Sequence, residues 1–127
     1  MKEIIKTTTA PEPVGPYNQA VIAGSLVFTA GQIAMDPKTG ALEKSDIKVQ
    51  TSRVIKNLEA VLKAAGTDLS QVIKTTVFLK NMDDFTQMNE VYGQFFQKDS
   101  PARSAVEVAR LPKDVLIEIE CVALIGK

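Results

Sequence analysis

With 127 residues, fifteen basic and fifteen acidic side chains and no histidine, the chain has room for one domain around one core. It carries no charge excess that would draw it to nucleic acid or to an anionic membrane. A hydrophobic fraction of 45% beside 24% charged residues is ordinary for a globular protein in water, and a single cysteine excludes both an internal disulfide framework and a zinc site.

The elements follow in chain order. Lys2 to Thr8 predicts a short strand. Ala10-Pro11-Glu12-Pro13-Val14-Gly15-Pro16 then breaks regular structure, because no helix interior or central strand accommodates prolines so closely spaced. This segment is either a surface connector or a stiffened loop that holds Tyr17 over a pocket. Asn18 to Ala23 and Leu26 to Ile33 read as strands joined at Gly24-Ser25, where glycine in the first central position fits a type II′ hairpin. Asp36-Pro37-Lys38-Thr39-Gly40 is a further turn.

Ile47, Thr51, Val54, Ile55, Leu58, Val61, Leu62 and Ala65 recur at helical spacing, with Ser45 or Asp46 to cap the start and Gly66 to close the end. Arg53, Lys56, Glu59 and Lys63 lie towards the other face. Val72 to Leu79, rich in β-branched residues, reads as a strand. A second helix is expected after an Asp83-Asp84 cap, with Phe85, Met88, Tyr92, Phe95 and Phe96 as its apolar stripe. Asn89 lies inside that stripe, and a buried amide must find partners or cost about 1–3 kcal/mol. It serves either to support neighbouring backbone or to touch a ligand.

Two strands close the chain, Ser104 to Ala109 and Val115 to Ile125, joined through Leu111-Pro112-Lys113-Asp114. In the last strand Val115, Ile117, Ile119, Cys121 and Ala123 share one face, which makes Cys121 a small buried apolar side chain. Leu116, Glu118, Glu120, Val122 and Leu124 share the other. That second face is apolar at its ends and acidic in the middle: either two solvated glutamates or a polar site at a seam with another subunit. The order ββ–α–β–α–ββ, with hairpins at both ends, predicts an α+β fold in which a mixed sheet carries two helices on one face. Self-association is the simplest cover for the other face. Met1 to Thr9 lacks the apolar core of a signal peptide and no run reaches transmembrane length, so a cytoplasmic protein is expected.

Chemistry narrows to one pair. Without histidine a serine or cysteine nucleophile lacks its usual base. No glycine-rich dinucleotide fingerprint, Walker sequence or Gly-x-Ser-x-Gly elbow is present. What remains is Arg103, whose fork suits a small carboxylate, and Glu118, a carboxylate in an otherwise apolar strand suited to proton transfer. Both lie on what read as consecutive strands.

At these residues the sequence resembles the RidA (YjgF-type) family of enamine/imine deaminases over nearly its whole length, 1–127 reading as one such domain. The blocks that carry the likeness are Pro13-Val14-Gly15-Pro16-Tyr17-Asn18-Gln19-Ala20, Gly31-Gln32-Ile33, Asn57-Leu58 with Ala65-Gly66, and Val77-Phe78-Leu79. Met88-Asn89, Val91-Tyr92, Pro101-Ala102-Arg103-Ser104, Val108-Ala109-Arg110-Leu111-Pro112 and Glu118-Ile119-Glu120 complete them. The resemblance implies a chorismate-mutase-like fold, with three copies packing their sheets into a central β-barrel and leaving clefts between subunits. It implies hydrolysis of 2-aminoacrylate, 2-iminopropanoate and 2-iminobutanoate to 2-keto acids and ammonia, without cofactor or metal. Carried over residue by residue, Arg103 binds the substrate carboxylate and Glu118 activates water and handles the proton at nitrogen. Tyr17 closes the cleft, Asn89 supports its geometry, and backbone near Gly31 and Ala105 completes it. Ala30 and Ala105 stand where many relatives have serine and cysteine, so a hydroxyl and a thiol are missing. A chorismate mutase on the same scaffold and a ligand-sensing or interaction protein without turnover are the competing readings. Chaperone and ribonuclease roles have also been suggested within the family. Cancelling charge and the absence of histidine speak against ribonuclease chemistry.

Overall fold

A computed structural model describes residues 1–126. Its strands are β1 (Lys2–Ile5), β2 (Ala20–Ala23), β3 (Leu26–Thr29), β4 (Val72–Leu79), β5 (Ala102–Glu107) and β6 (Ile117–Leu124). Its helices are α1 (Ile47–Ala64) and α2 (Phe85–Phe95). The strands form one sheet in the order β1-β2-β3-β6-β4-β5. The α+β class and the mixed sheet with two helices are as the sequence predicts; the pairing is not.

At the N-terminus three strands run as an antiparallel meander, with Gly24 at φ 62 in the two-residue turn between Ala23 and Leu26. Only the first of the two turn residues needs a positive φ, as the predicted type II′ turn requires. At the C-terminus there is no hairpin. β5 runs parallel to β4, with α2 as the crossover, and β6 is inserted between β3 and β4, antiparallel to both. Parallel strands need a crossover of a dozen or more residues, and α2 with its flanking turns supplies it.

α1 begins where Asp46 accepts a hydrogen bond from Val49 N–H at 3.0 Å and ends before Gly66, which takes φ 89. The expected Asp83-Asp84 cap of α2 is replaced by Asn81, whose Oδ1 accepts from Asp83 N–H at 2.9 Å and opens a short 3₁₀ turn that runs into the helix. Asp84 makes no capping bond.

The core lies between the helices and one sheet face. Thr75, Val77 and Leu79 of β4 pair with Cys121, Ile119 and Ile117 of β6, and all six are buried. Each fully buried isoleucine or leucine is worth roughly 1.5–3 kcal/mol. Thr75, the polar member, shares a 2.7 Å hydrogen bond with the Tyr92 hydroxyl. Gln50, buried on α1, donates to Ser45 carbonyl and accepts from Leu116 N–H, tying the start of the helix to the approach to β6. On the opposite sheet face no helix packs: Phe28, Val106 and Leu124 stay 45%, 43% and 41% exposed.

The strand predicted for Leu26 to Ile33 stops at Thr29 and touches β6 again only at Gln32. Phe28 faces Val122 and Gln32 faces Ile119, so four steps along one strand match three along the other. The extra residue is a bulge at Ala30-Gly31, and a bulge bends its strand and opens room beside it.

Candidate active site

Two half-sites form, on opposite faces of the sheet. In the first, Arg103 on edge strand β5 pairs in register with buried Thr75, which places it on the helix-covered face. Its Nη1 donates to Asn89 Oδ1 at 2.7 Å. Its guanidinium carbon stands 4.8 Å from the Tyr92 ring centre and 5.4 Å from that of Phe85. Phe85, Asn89 and Tyr92 fall one helical turn apart along α2, so a single stripe of that helix cradles the cation. Part of what reads in the sequence as core is therefore a seat for Arg103. The Asn89 side chain buttresses no backbone; its Oδ1 takes the guanidinium.

Cation–aromatic contact and an amide orient the charge without neutralising it. Among the described residues no carboxylate lies within ion-pairing distance of Arg103. A half-buried guanidinium with its remaining N–H donors uncommitted has the chemistry to receive an anion. Ala105, opposite Val77, is the next residue on the same face.

The second half-site holds Glu118, which pairs with Phe78 and so points to the face without helices. Its carboxyl lies against the bulge: a methyl group built on Gly31 would come within 2.8 Å of Glu118 Cδ and overlap Oε2. Any larger residue at position 31 would oblige the carboxyl to move. Burial, and secondarily the charge of Glu120, raise the Glu118 carboxyl above the ordinary carboxylate value, the direction expected when desolvation and a like charge penalise ionisation.

Tyr17 stands at the edge of this half. It is 46% exposed, its hydroxyl accepts from Val14 N–H at 3.3 Å, and it borders with Gly31 and Gln32 a crevice of about 30 Å³. The proline loop that carries it is fastened by Gln19, a buried residue that sequence reasoning did not single out. Gln19 accepts from Thr7 N–H at 2.7 Å and donates to the carbonyls of Thr7, Ala10 and Pro11. The available signal was a large amide at a position next to apolar Ala20 and Val21, where burial forces it to find partners.

Gly31 and Glu118 thus come together, with Tyr17 beside Gly31 across the crevice; Arg103 and Asn89 come together, with Ala105 next on their face. The two groups do not meet within one chain. Arg103 and Glu118 lie on strands that follow each other in sequence but are separated by β4, on opposite faces and three β4 positions apart, Thr75 against Phe78. Cys121 belongs to neither group. Burial pushes its thiol up to about 11, which leaves it protonated and unreactive near neutrality.

The protein-family model described as endoribonuclease L-PSP matches residues 7–125. A RutC family protein of Pyrococcus horikoshii is 60% identical over 97% of this chain and 98% of its own. A 2-iminobutanoate/2-iminopropanoate deaminase of Salmonella typhimurium is 48% identical over 98% of each. The chain belongs to the RidA (YjgF-type) family. Among solved RidA-type structures, E. coli TdcF with bound serine superposes with a TM-score of 0.93 at 46% identity, over 98% of this chain and 99% of that one. The names carried by RidA relatives range from the general RutC label to a specific deaminase. Among the described residues no helix is long and apolar enough to cross a membrane.

Proposed function

We propose that the protein is a hydrolytic deaminase of small 2-imino and enamine acids, acting as a homotrimer whose seams join the Arg103 half of one copy to the Glu118 half of the next. The observation that carries this reading is the placement of an unneutralised, oriented guanidinium and a carboxyl of raised pKa on opposite faces of one sheet. A second copy is the way to bring them into one cleft, and the uncovered apolar face of Phe28, Val106 and Leu124 supplies the contact surface. The similarity to a named 2-iminobutanoate/2-iminopropanoate deaminase supports the reaction class.

In this reading Arg103 grips the substrate carboxylate in two-point fashion, with Asn89, Tyr92 and Phe85 fixing its plane. Glu118 holds a water against the imine carbon. As the water oxygen bonds to that carbon, the C=N pair of electrons moves to nitrogen and Glu118 takes a proton from the water. Glu118 then returns the proton to the amino group of the tetrahedral intermediate. The C–N bond breaks with its electron pair leaving on ammonia. The hydroxyl oxygen forms the carbonyl as it gives its proton to Glu118, which passes it to the nitrogen of the next imine, so that each imine is attacked in its protonated form. One imine and one water give one 2-keto acid and one ammonia. With an enamine substrate, the protonated Glu118 first donates to the terminal carbon, a task that a raised pKa favours. Tyr17 closes the mouth of the cleft, and backbone at Gly31 and Ala105 lines it. No step calls for a metal or cofactor.

The test is a coupled assay in which a serine or threonine dehydratase generates the imine in situ. Purified protein should accelerate keto-acid release, with a trimeric mass by light scattering. An unchanged spontaneous rate sinks the enzyme reading. The same result with saturable binding of a 2-keto acid selects a ligand-sensing protein instead.

A further inference from the structure

We propose that Asn57, in the middle of α1 and in contact with neither half-site, is the positioning residue that sets the seat of the Glu118 carboxyl against Gly31; this rests on the deaminase reading. Asn57 is fully buried. Its Nδ2 donates to the carbonyls of Ile33 at 3.1 Å and Met35 at 3.0 Å, while its Oδ1 makes no hydrogen bond. An apolar residue would be the cheaper choice at such a depth, so the two donated bonds account for the amide.

They are made to a segment whose own ladder is a single isolated bridge, Met35 with Leu42. Beyond the bulge the chain touches β6 only at Gln32, where Gln32 N–H donates to Ile119 carbonyl at 2.8 Å and Ile119 N–H donates back at 3.1 Å. Ala34 carbonyl is met by Glu43 N–H at 2.7 Å, and Ile33 carbonyl also receives Met35 N–H. Among the described residues Met35 carbonyl has no donor but Asn57. The helix therefore fastens residues 33–35 from beneath, the Gln32–Ile119 pair fastens their other end to β6, and Gly31 is held one residue beyond, against Glu118. Losing the clamp frees residues 33–35 and lets Gly31 drift from the carboxyl it seats, whereas the Arg103 cradle on α2 and β5 is untouched.

The experiment compares wild type with Asn57→Asp, which puts an acceptor oxygen opposite both carbonyls, and with Asn57→Ala, which removes the donor without adding charge and serves if the aspartate variant does not fold. Val54→Ala, another fully buried α1 position, is the control for general loss of core packing. Amide hydrogen exchange over residues 31–35 and steady-state kinetics in the coupled assay are the readouts. Faster exchange in that segment is expected, with kcat reduced about 10–100-fold, the scale of an ångström-sized misplacement, and KM within about twofold. Val54→Ala should lower thermal stability with kcat nearly unchanged. Faster exchange with kcat intact overturns the positioning role, as does an equal kcat loss in Val54→Ala. Unchanged exchange in the Asn57 variants overturns the clamp itself, whether or not the protein turns over substrate. A wild type without turnover sinks the deaminase reading and the catalytic half of this proposal with it, and hydrogen exchange then decides the clamp by itself.

Discussion

If each cleft takes Arg103 from one copy and Glu118 from its neighbour, two inactive variants should repair each other. Alone, Arg103→Ala should forfeit about 2–5 kcal/mol of transition-state binding, and Glu118→Gln on the order of 10²–10⁴ in rate. Each parent should therefore run at or below about 3% of wild type. In a trimer with two copies of one variant and one of the other, the order around the ring leaves one seam with both functional groups. Random mixing at equal ratio gives an intact arginine donor beside an intact glutamate donor at about a quarter of all seams. Refolding or co-expressing the two variants together should restore roughly 25% of wild-type activity, at least about sevenfold above either parent. The measurement is the coupled imine assay, with native mass spectrometry on distinguishably tagged copies to verify mixed trimers. A site built within one chain gives no recovery, because no copy in the mixture carries both groups. Mixed trimers with activity no greater than the parents' would refute the shared-seam reasoning.

Three further outcomes can be checked. Arg103→Lys should be nearly as damaging as Arg103→Ala, since one ammonium does not bond Asn89, stack on Phe85 and Tyr92 and offer a planar fork together; near-normal kcat/KM in the lysine variant would reduce Arg103 to a diffuse charge. Gly31→Ala should displace the Glu118 carboxyl and abolish turnover while 2-keto acid binding at the Arg103 half persists in calorimetry; an active alanine variant would mean that the close approach is dispensable. Burial raises the Glu118 carboxyl first and Glu120 second, so the acid limb of kcat/KM should lie above the ordinary carboxylate range, and Glu120→Gln should move it to lower pH with a mild effect on the plateau. Across that window the folded chain keeps a proton that the unfolded chain has released, so stability falls as pH rises. Glu118→Gln should accordingly melt higher than wild type at pH 7, with the gap closing on acidification, and a lower Tm at pH 7 would contradict the assignment.

Helix α1 is legible to its caps because its apolar spacing, Asp46 and Gly66 all report local geometry. The alternation of β6 is legible for the same reason, and with it which of its residues face away from the helices. Strand neighbours are not legible. Alternation says which face a residue takes, not which strand lies beside it, so nothing local places β6 between β3 and β4 or makes β5 parallel. The resulting separation of Arg103 from Glu118 is a property of topology, which two residues on consecutive strands do not betray. The bulge at Ala30-Gly31 is hidden too, since alanine and glycine extend an apolar run as readily as they interrupt it. Asn89 stands out in the sequence as a polar intruder, but its partner comes from another element and is no neighbour along the chain.

Gln19, Gln50 and Asn57 are all amides, and between them they hold the proline loop, the entry to β6 and the segment beyond the bulge. None of these fasteners gains or loses a proton at any physiological pH. The three ion pairs among the described residues join exposed side chains, and such pairs are worth at most about 1 kcal/mol. The frame around the two half-sites is thus fastened by groups that acidity does not touch. Any response to acidity at these half-sites would reside in the ionisation of the Glu118 carboxyl, held by fasteners that do not themselves titrate.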